Sequence, residues 1–128
     1  MSKKIKEHGI GIAIKRNKKR LFIEIAMLGK LTHEDYKIFV PMIDKALKEV
    51  KGLEVDILVD MREFTGWEIL AGWDDMKFGI KHRNTFDKMA IIGNKKWEEL
   101  SVKMMKHLMK GKSKFFKERE KALFWLLK

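Results

Sequence analysis

No cysteine occurs anywhere in the 128 residues, which excludes disulfide staples, thiolate nucleophiles and zinc sites built on cysteine. Serine is scarce: Ser2, Ser101 and Ser113 are the only ones, and none stands at a strand-to-helix turn of the nucleophile-elbow kind. His8, His33, His82 and His107 are scattered with no metal-ligand spacing, and no Walker loop or dinucleotide-binding glycine motif is present. No catalytic constellation, metal site or cofactor motif is left, so a non-enzymatic protein without cofactor is expected. With a single proline, Pro41, and no Ser/Pro linker or internal repeat, the chain reads as one domain over residues 1–128. No apolar run approaches the roughly 20 residues that span a bilayer, and no signal-peptide pattern opens the sequence, so a cytoplasmic location is expected.

What is abundant is positive charge: 29 Lys+Arg against 18 Asp+Glu, a formal net of +11. Residues 1–23 carry 8 basic and 1 acidic side chains, residues 24–94 carry 10 and 13, and residues 95–128 carry 11 and 4. The excess therefore belongs to the two ends. Such ends are either solvated lysine-rich surfaces or an attraction for an anionic partner. Lysine dominates over arginine, the aromatics fall at helix and core positions, and no RRM, zinc-finger or helix-turn-helix pattern appears. That combination suits diffuse attraction to anionic lipid better than base readout, and nucleic acid is not the expected partner.

The periodicities predict alternating elements. Ile10, Ile12 and Ile14 alternate with small residues, and Leu21, Phe22, Ile23, Ile25, Met27 and Leu28 form a second strand after the turn Arg16-Asn17-Lys18-Lys19, together a hairpin. Thr32 is a plausible N-cap with Asp35 three residues on, flanked by Leu31 and Tyr36 at the hydrophobic-staple positions. The stripe Tyr36, Phe39, Val40, Ile43, Leu47, Val50 crosses Pro41, where a kink is expected, and ends at Gly52. Residues 55–60 and 89–92 read as buried strands, 66–84 and 95–110 as helices, 113–116 as an edge strand and 118–127 as a last helix. The order β-β-α-β-α-β-α-β-α predicts an α/β fold.

Three features could carry function. The segment from Asp60 to Glu68 leaves a buried strand and enters a helix, where free N–H groups and Arg62 suit a phosphate or carboxylate; Thr65 with Glu68 is equally a plain capping box. The loop Gly93-Asn94-Lys95-Lys96-Trp97 repeats the pattern, with Asn94 as the expected N-cap. The helix after Gly66 is apolar on more than one side: Ile69, Trp73, Met76 and Ile80 on one stripe, Trp67, Ala71 and Phe78 on another. A second apolar side covers a pocket, meets a partner chain or lies deep in the core, and Asp74, Asp75, Lys77, Lys81, His82 and Arg83 would be the solvated side. Finally, Lys103, Met104, Met105, Lys106, Met109 and Lys110 make a basic, Met-rich helix, and Phe124 and Trp125, framed by Lys121 and Lys128, resemble a membrane or partner contact.

The runs Leu58-Val59-Asp60-Met61-Arg62-Glu63-Phe64-Thr65-Gly66-Trp67, Ala71-Gly72-Trp73-Asp74-Asp75-Met76-Lys77-Phe78-Gly79-Ile80-Lys81-His82 and Met89-Ala90-Ile91-Ile92-Gly93-Asn94-Lys95-Lys96-Trp97-Glu98 resemble the small bacterial SpoIIAA-like proteins, a STAS-like group related in fold to CRAL-TRIO lipid-binding domains. The resemblance implies a STAS-like mixed sheet of four or five strands with four helices. It also implies a non-enzymatic module for an apolar or lipid-like ligand, associated peripherally with anionic membranes at their inner face. On that reading Trp67, Leu70, Trp73 and Phe78 line or cover the pocket, with Phe64 and Gly66 beside them, and Arg62, Thr65 and Lys95 meet a polar or anionic head. The alternative it implies is a STAS-type, anti-anti-sigma-like regulator that binds a protein partner, or a second copy of itself, through the 62–67 turn and the following helix. True anti-anti-sigma factors carry Asp-Ser-Ser-Gly at that turn, and only Thr65 and Gly66 echo it here.

Overall fold

Along the second strand Leu21, Ile23, Ile25 and Met27 are buried, while Phe22, Glu24, Ala26 and Leu28 are more open, the period-two pattern that turns one face of a sheet toward a core. The computed structural model describes residues 7–17, 19–49, 52–105 and 109–128. It places five strands in the order β1-β2-β3-β4-β5. β1 (Gly9–Asn17) and β2 (Arg20–Leu31) are the expected antiparallel hairpin; β3 (Glu54–Trp67), β4 (Phe86–Ile92) and β5 (Lys112–Phe116) follow in parallel. Between and after them come α1 (His33–Glu49), α2 (Ile69–Lys81), α3 (Lys96–Met105) and α4 (Arg119–Leu127). The α/β class and the element order agree with the sequence reading. Lys18 of the predicted turn, Val50 of the first helical stripe, and Lys106 and His107 of the Met-rich helix lie outside the described residues.

The sheet has two unequal faces. On one, Ile23, Ile25, Ile57, Val59, Met89 and Ile91 pack against Tyr36, Phe39 and Ile43 of α1, Ala71 of α2 and Val102 of α3. On the other, Leu58, Ala90 and Ile92 meet Ala122 and Leu126 of α4, with Phe22, Phe116, Leu123 and Trp125 at the margin. β3 is apolar at consecutive positions because both of its faces are covered here. Where α4 does not reach, the second face is charged: Arg20 donates to both oxygens of buried Asp56 at 2.8 Å and also pairs with Glu54 and Asp87. Arg119 anchors α4 itself by donating to Glu24 of β2 at 2.8 Å.

α1 starts as its capping box requires. The Asp35 N–H donates to Thr32 Oγ1 at 3.2 Å, and Asp35 Oδ2 accepts from the Thr32 N–H at 2.9 Å. The helix runs on through Pro41. The largest departure concerns β3. It does not end near Asp60; it continues to Trp67, paired with β2 as far as Leu31↔Trp67, and absorbs its extra residues in register shifts near Met61 and Thr65. The expected 62–67 turn is therefore strand, because β2 itself is longer than its apolar run and offers a partner to the end. Thr65 is consequently no cap: α2 begins only at Ile69, after Glu68, whose side chain makes no cap hydrogen bond.

Described basic residues of the two ends fall at opposite edges of the sheet. Lys15, Arg16 and Lys19 belong to the β1–β2 hairpin, and Lys112, Lys114, Lys117, Lys121 and Lys128 to β5, α4 and the residues flanking α4. With β1 and β5 outermost, they stand four strand spacings, about 19 Å, apart.

Two glycines separate packing from propensity. A Cβ at Gly111 would sit 2.2 Å from the Phe86 carbonyl oxygen, whereas one at Gly79, inside α2, meets nothing within 4 Å. Gly111→Ala is expected to lose about 1–3 kcal/mol, and Gly79→Ala to gain about 0.5–1 kcal/mol, read as shifts of the urea midpoint at constant slope.

Candidate functional site

The side chains under α2 and α3 do not fill the space above the sheet. A cavity of about 190 Å³ remains there. Its floor is Ile25 and Met27 of β2, Ile57, Val59 and Met61 of β3, and Met89 and Ile91 of β4; Phe78 and Gly79 of α2 and Val102 of α3 form the roof. Three rings gather at one end: Phe64 lies 4.7 Å from Trp67 and 5.8 Å from Trp97, and the two tryptophans are 6.0 Å apart. Trp97 and Ser101 line the cavity yet are exposed, so they mark its mouth between the helices.

Two carboxyl groups stand in this apolar lining. The first is Asp75, at the end of a relay that joins three elements: the Trp67 Nε1–H donates to Tyr36 Oη at 2.8 Å, and the Tyr36 hydroxyl donates to Asp75 Oδ1 at 2.7 Å. Part of Asp75 reaches solvent, but burial of its carboxyl pushes its pKa above the ordinary carboxylate value, against the opposing pull of the Tyr36 hydrogen bond. Burial, and then the Asp75 charge, push Tyr36 upward too, so it stays a neutral donor. The second is Glu98, 1% exposed. Its Oε1 accepts the N–H groups of Asn94 and Lys95, each at 3.1 Å, the backward half of a capping box at the start of α3. Its Oε2 is buried without a hydrogen-bond partner among the described residues. Gly93 allows this arrangement, since a Cβ there would lie 2.5 Å from Glu98 Oε1.

The seam between α1 and α2 is polar. His33 Nδ1 meets Asp74 Oδ2 at 2.5 Å, and Asp44 receives the Lys81 ammonium and His82 Nε2, each at 2.8 Å. Burial works against the Asp44 charge, but Lys81 and His82 outweigh it and hold the carboxyl below its ordinary pKa.

These positions reorganise the predicted site. Trp67 and Phe78 line the cavity, and Phe64, fully buried, stacks behind Trp67. Leu70 and Trp73 do not line it: they are more than half exposed on the outward side of α2, together with Ile69, Met76 and Ile80. Arg62 donates twice to Asp60, at 3.0 and 2.7 Å, and is ion-paired, while Lys95 donates to the neutral Phe64 carbonyl at 2.9 Å. Thr65 is exposed on β3, and Gly66 has φ +133°, a glycine conformation at the strand's last register shift. Asn94 is not the cap of α3, which starts at Lys96; its side chain reaches the Arg62 carbonyl at 3.5 Å. Asp74, Asp75 and His82 are not the solvated side of α2 but face α1 and the core. At the chain end Phe124 is exposed beside Lys121 and Lys128, whereas Trp125 turns to the sheet, 5.7 Å from Phe116.

Asp75, Glu98 and Trp97 are the site residues that the sequence reading missed. Ala71, Asp75, Phe78 and His82 follow one another at helical spacing, so an acid within the inward stripe was the available signal. For Glu98 the signal was a carboxylate three residues after Lys95 at the start of a helix.

Comparison with known proteins adds a family and a fold. The SpoIIAA-like family profile matches residues 22–127. A crystal structure of an uncharacterised protein of the DUF3478 family with a SpoIIAA-like fold, from Shewanella loihica PV-4, is similar over 98% of both chains at 36% identity, with a TM-score of 0.81. An anti-sigma factor antagonist from Mycobacterium paratuberculosis is similar at 9% identity over 94% of this chain and 96% of its own, with a TM-score of 0.49. No curated protein matches.

Asp75 and Asp44 predict opposite pH behaviour. Asp75, raised when folded, contributes stability that is present below the unfolded carboxylate pKa and lost as pH rises through the folded one. Asp75→Asn should therefore gain on wild type as pH climbs from about 4. Asp44, lowered when folded, contributes above the unfolded pKa and loses that as pH falls through the folded one. The deficit of Asp44→Asn should shrink over the same titration run downward. Urea midpoints at a series of pH values read both.

Proposed function

This chain belongs to the SpoIIAA-like family, and from that premise we propose that it is a non-enzymatic binding module whose site is the cavity between the sheet, α2 and α3. The observation that carries the reading is an unfilled space of about 190 Å³ inside an otherwise well-covered core. Such a space exceeds the roughly 150 Å³ apolar cavity that accepts benzene and falls short of the about 300 Å³ at which drug-sized pockets begin. It therefore fits one ring or a short chain, and a long acyl chain would need α2 to swing outward. Toluene is the direct probe. Calorimetric titration should give saturable binding to the full chain, weakened about tenfold or more by Val59→Phe, which fills the floor. Ser101→Phe, which closes the mouth from an exposed position, should weaken binding too without disturbing the core. Absence of toluene binding to the wild type would overturn the reading.

A second reading, peripheral association with anionic membranes, is favoured by the outer side of α4. Phe124 and Leu127 are 72% and 80% exposed, and Lys114, Lys121 and Lys128 surround a shallow groove beside Phe124. Aromatic and leucine tips amid lysines suit the boundary between headgroups and acyl chains. The rival surface is the outward stripe of α2, where Ile69 is 86% exposed; it supports the STAS-type alternative, a protein-interaction regulator, with the exposed end of β3 beside it. Flotation with neutral and phosphatidylglycerol-containing vesicles separates the two. Salt-sensitive binding to the anionic vesicles, lost in Phe124→Ser/Leu127→Ser and kept in Ile69→Ser/Trp73→Ser, supports α4; equal or absent binding to both vesicles removes the membrane reading.

A further inference from the structure

The cavity is apolar almost throughout, but its polar groups share one character. Asp75 and Glu98 present carboxyl oxygens, and the Ser101 hydroxyl already donates to the Trp97 carbonyl at 2.8 Å. Among the described residues, no lysine, arginine or histidine lines it. Lys95, two residues before Trp97 at the mouth, donates to the Phe64 carbonyl. Among the described residues, Glu98 Oε2 is a buried acceptor with no donor, and Asp75 has one donor, Tyr36, for its Oδ1. Leaving buried acceptors unmet is costly, and an occupant whose donors reach these oxygens removes the deficit.

An occupant with an anionic head would set a third negative group among these acceptors with no counter-charge. An alcohol brings one donor. A protonated primary amine brings three and cancels the charge it meets. We infer that this cavity takes a small aromatic or aliphatic primary amine, its apolar body on the Met- and Ile-lined floor and its ammonium on the acidic lining that Asp75 and Glu98 provide. The inference rests on the cavity reading proposed above and names the chemistry of its occupant. It also departs from the expectation of an anionic head at Arg62 and Lys95: Arg62 is paired with Asp60, and the Lys95 ammonium is turned to the Phe64 carbonyl. The apolar ring decides entry, and the head group decides choice among molecules of one size.

The test keeps the ring and changes the head. Toluene, benzyl alcohol, benzylamine and benzoate are titrated into the full chain at neutral pH, where the amine is protonated and the benzoate ionised. Fluorescence of Trp67 and Trp97, which line the cavity, gives a readout alongside calorimetry. Benzylamine should bind about tenfold or more tighter than benzoate, the scale of one hydrogen bond to a charged group. The preference should collapse in Asp75→Asn/Glu98→Gln, which keeps acceptors for Tyr36 and for the start of α3, while toluene binding by that variant shows its cavity intact. Benzoate binding as tightly as benzylamine, or a preference that survives in the double variant, overturns the inference and leaves the cavity reading standing. Failure of all four probes removes both.

Discussion

One hydrogen-bond relay fixes the geometry on which the site depends. Trp67 closes β3, Tyr36 sits in the first turns of α1, and Asp75 lies in the middle of α2; the indole donates to the phenol and the phenol to the carboxyl. Tyr36 is buried and Trp67 and Asp75 are partly so, so each bond satisfies a polar group whose loss would cost roughly 1–3 kcal/mol. The relay sets the rotation of α2 about its own axis. With Asp75 turned to Tyr36, Ala71 and Phe78 face the core, His82 reaches Asp44, and Ile69, Trp73, Met76 and Ile80 point away. The helix is thus held over the sheet by polar bonds at the α1 seam, and on the side toward α3 it leaves the space that becomes the cavity.

That arrangement explains why an apolar helix of this kind is only half buried. Hydrophobic burial alone would favour rolling the Ile69–Ile80 stripe inward, since roughly 25 cal/mol is gained per square ångström of apolar surface removed from water. Rolling it would pull Asp75 from Tyr36, Asp74 from His33 and Asp44 from Lys81 and His82 together. Three bonded acids outweigh one stripe, because each would otherwise be left unpaired in a partly dry seam. Helices of this length usually show the reverse, with their polar side outward. An exposed apolar stripe held in place by buried polar contacts is the pattern expected of a surface with a partner.

Much of this was legible in the sequence, and the failures share a cause. The hairpin, the element order and the Thr32–Asp35 cap rest on local periodicity and local hydrogen bonds, which short stretches of sequence encode. The length of β3 does not: residues after Asp60 stay extended because β2 offers them ladder partners from far along the chain. Once β3 runs to Trp67, Thr65 cannot cap a helix and Arg62 turns back to Asp60. The burial of Asp75 is likewise a property of the α1–α2 seam, not of α2. A charged residue in an inward stripe reads as an interruption until its partner, thirty-nine positions earlier, is known.

Interior and exterior electrostatics point to different partners. The chain carries a net +11, and the described lysines and arginines of the β1–β2 hairpin and of β5 and α4 stand at the two sheet edges, where they attract anions through solvent over about one Debye length, roughly 8–10 Å. The cavity lies between those edges, walled by apolar side chains and edged by carboxyls, and electrostatics at short range in a dry space exceed those across water by several-fold. A single anionic amphiphile would be drawn to the surface and refused by the interior. On the proposed reading, the basic edges and the acidic pocket serve two separate recognition events, an anionic boundary at the surface and a small apolar donor within. The membrane-facing and ligand-binding readings do not compete for the same residues, since α4 and the cavity lie on opposite faces of the sheet.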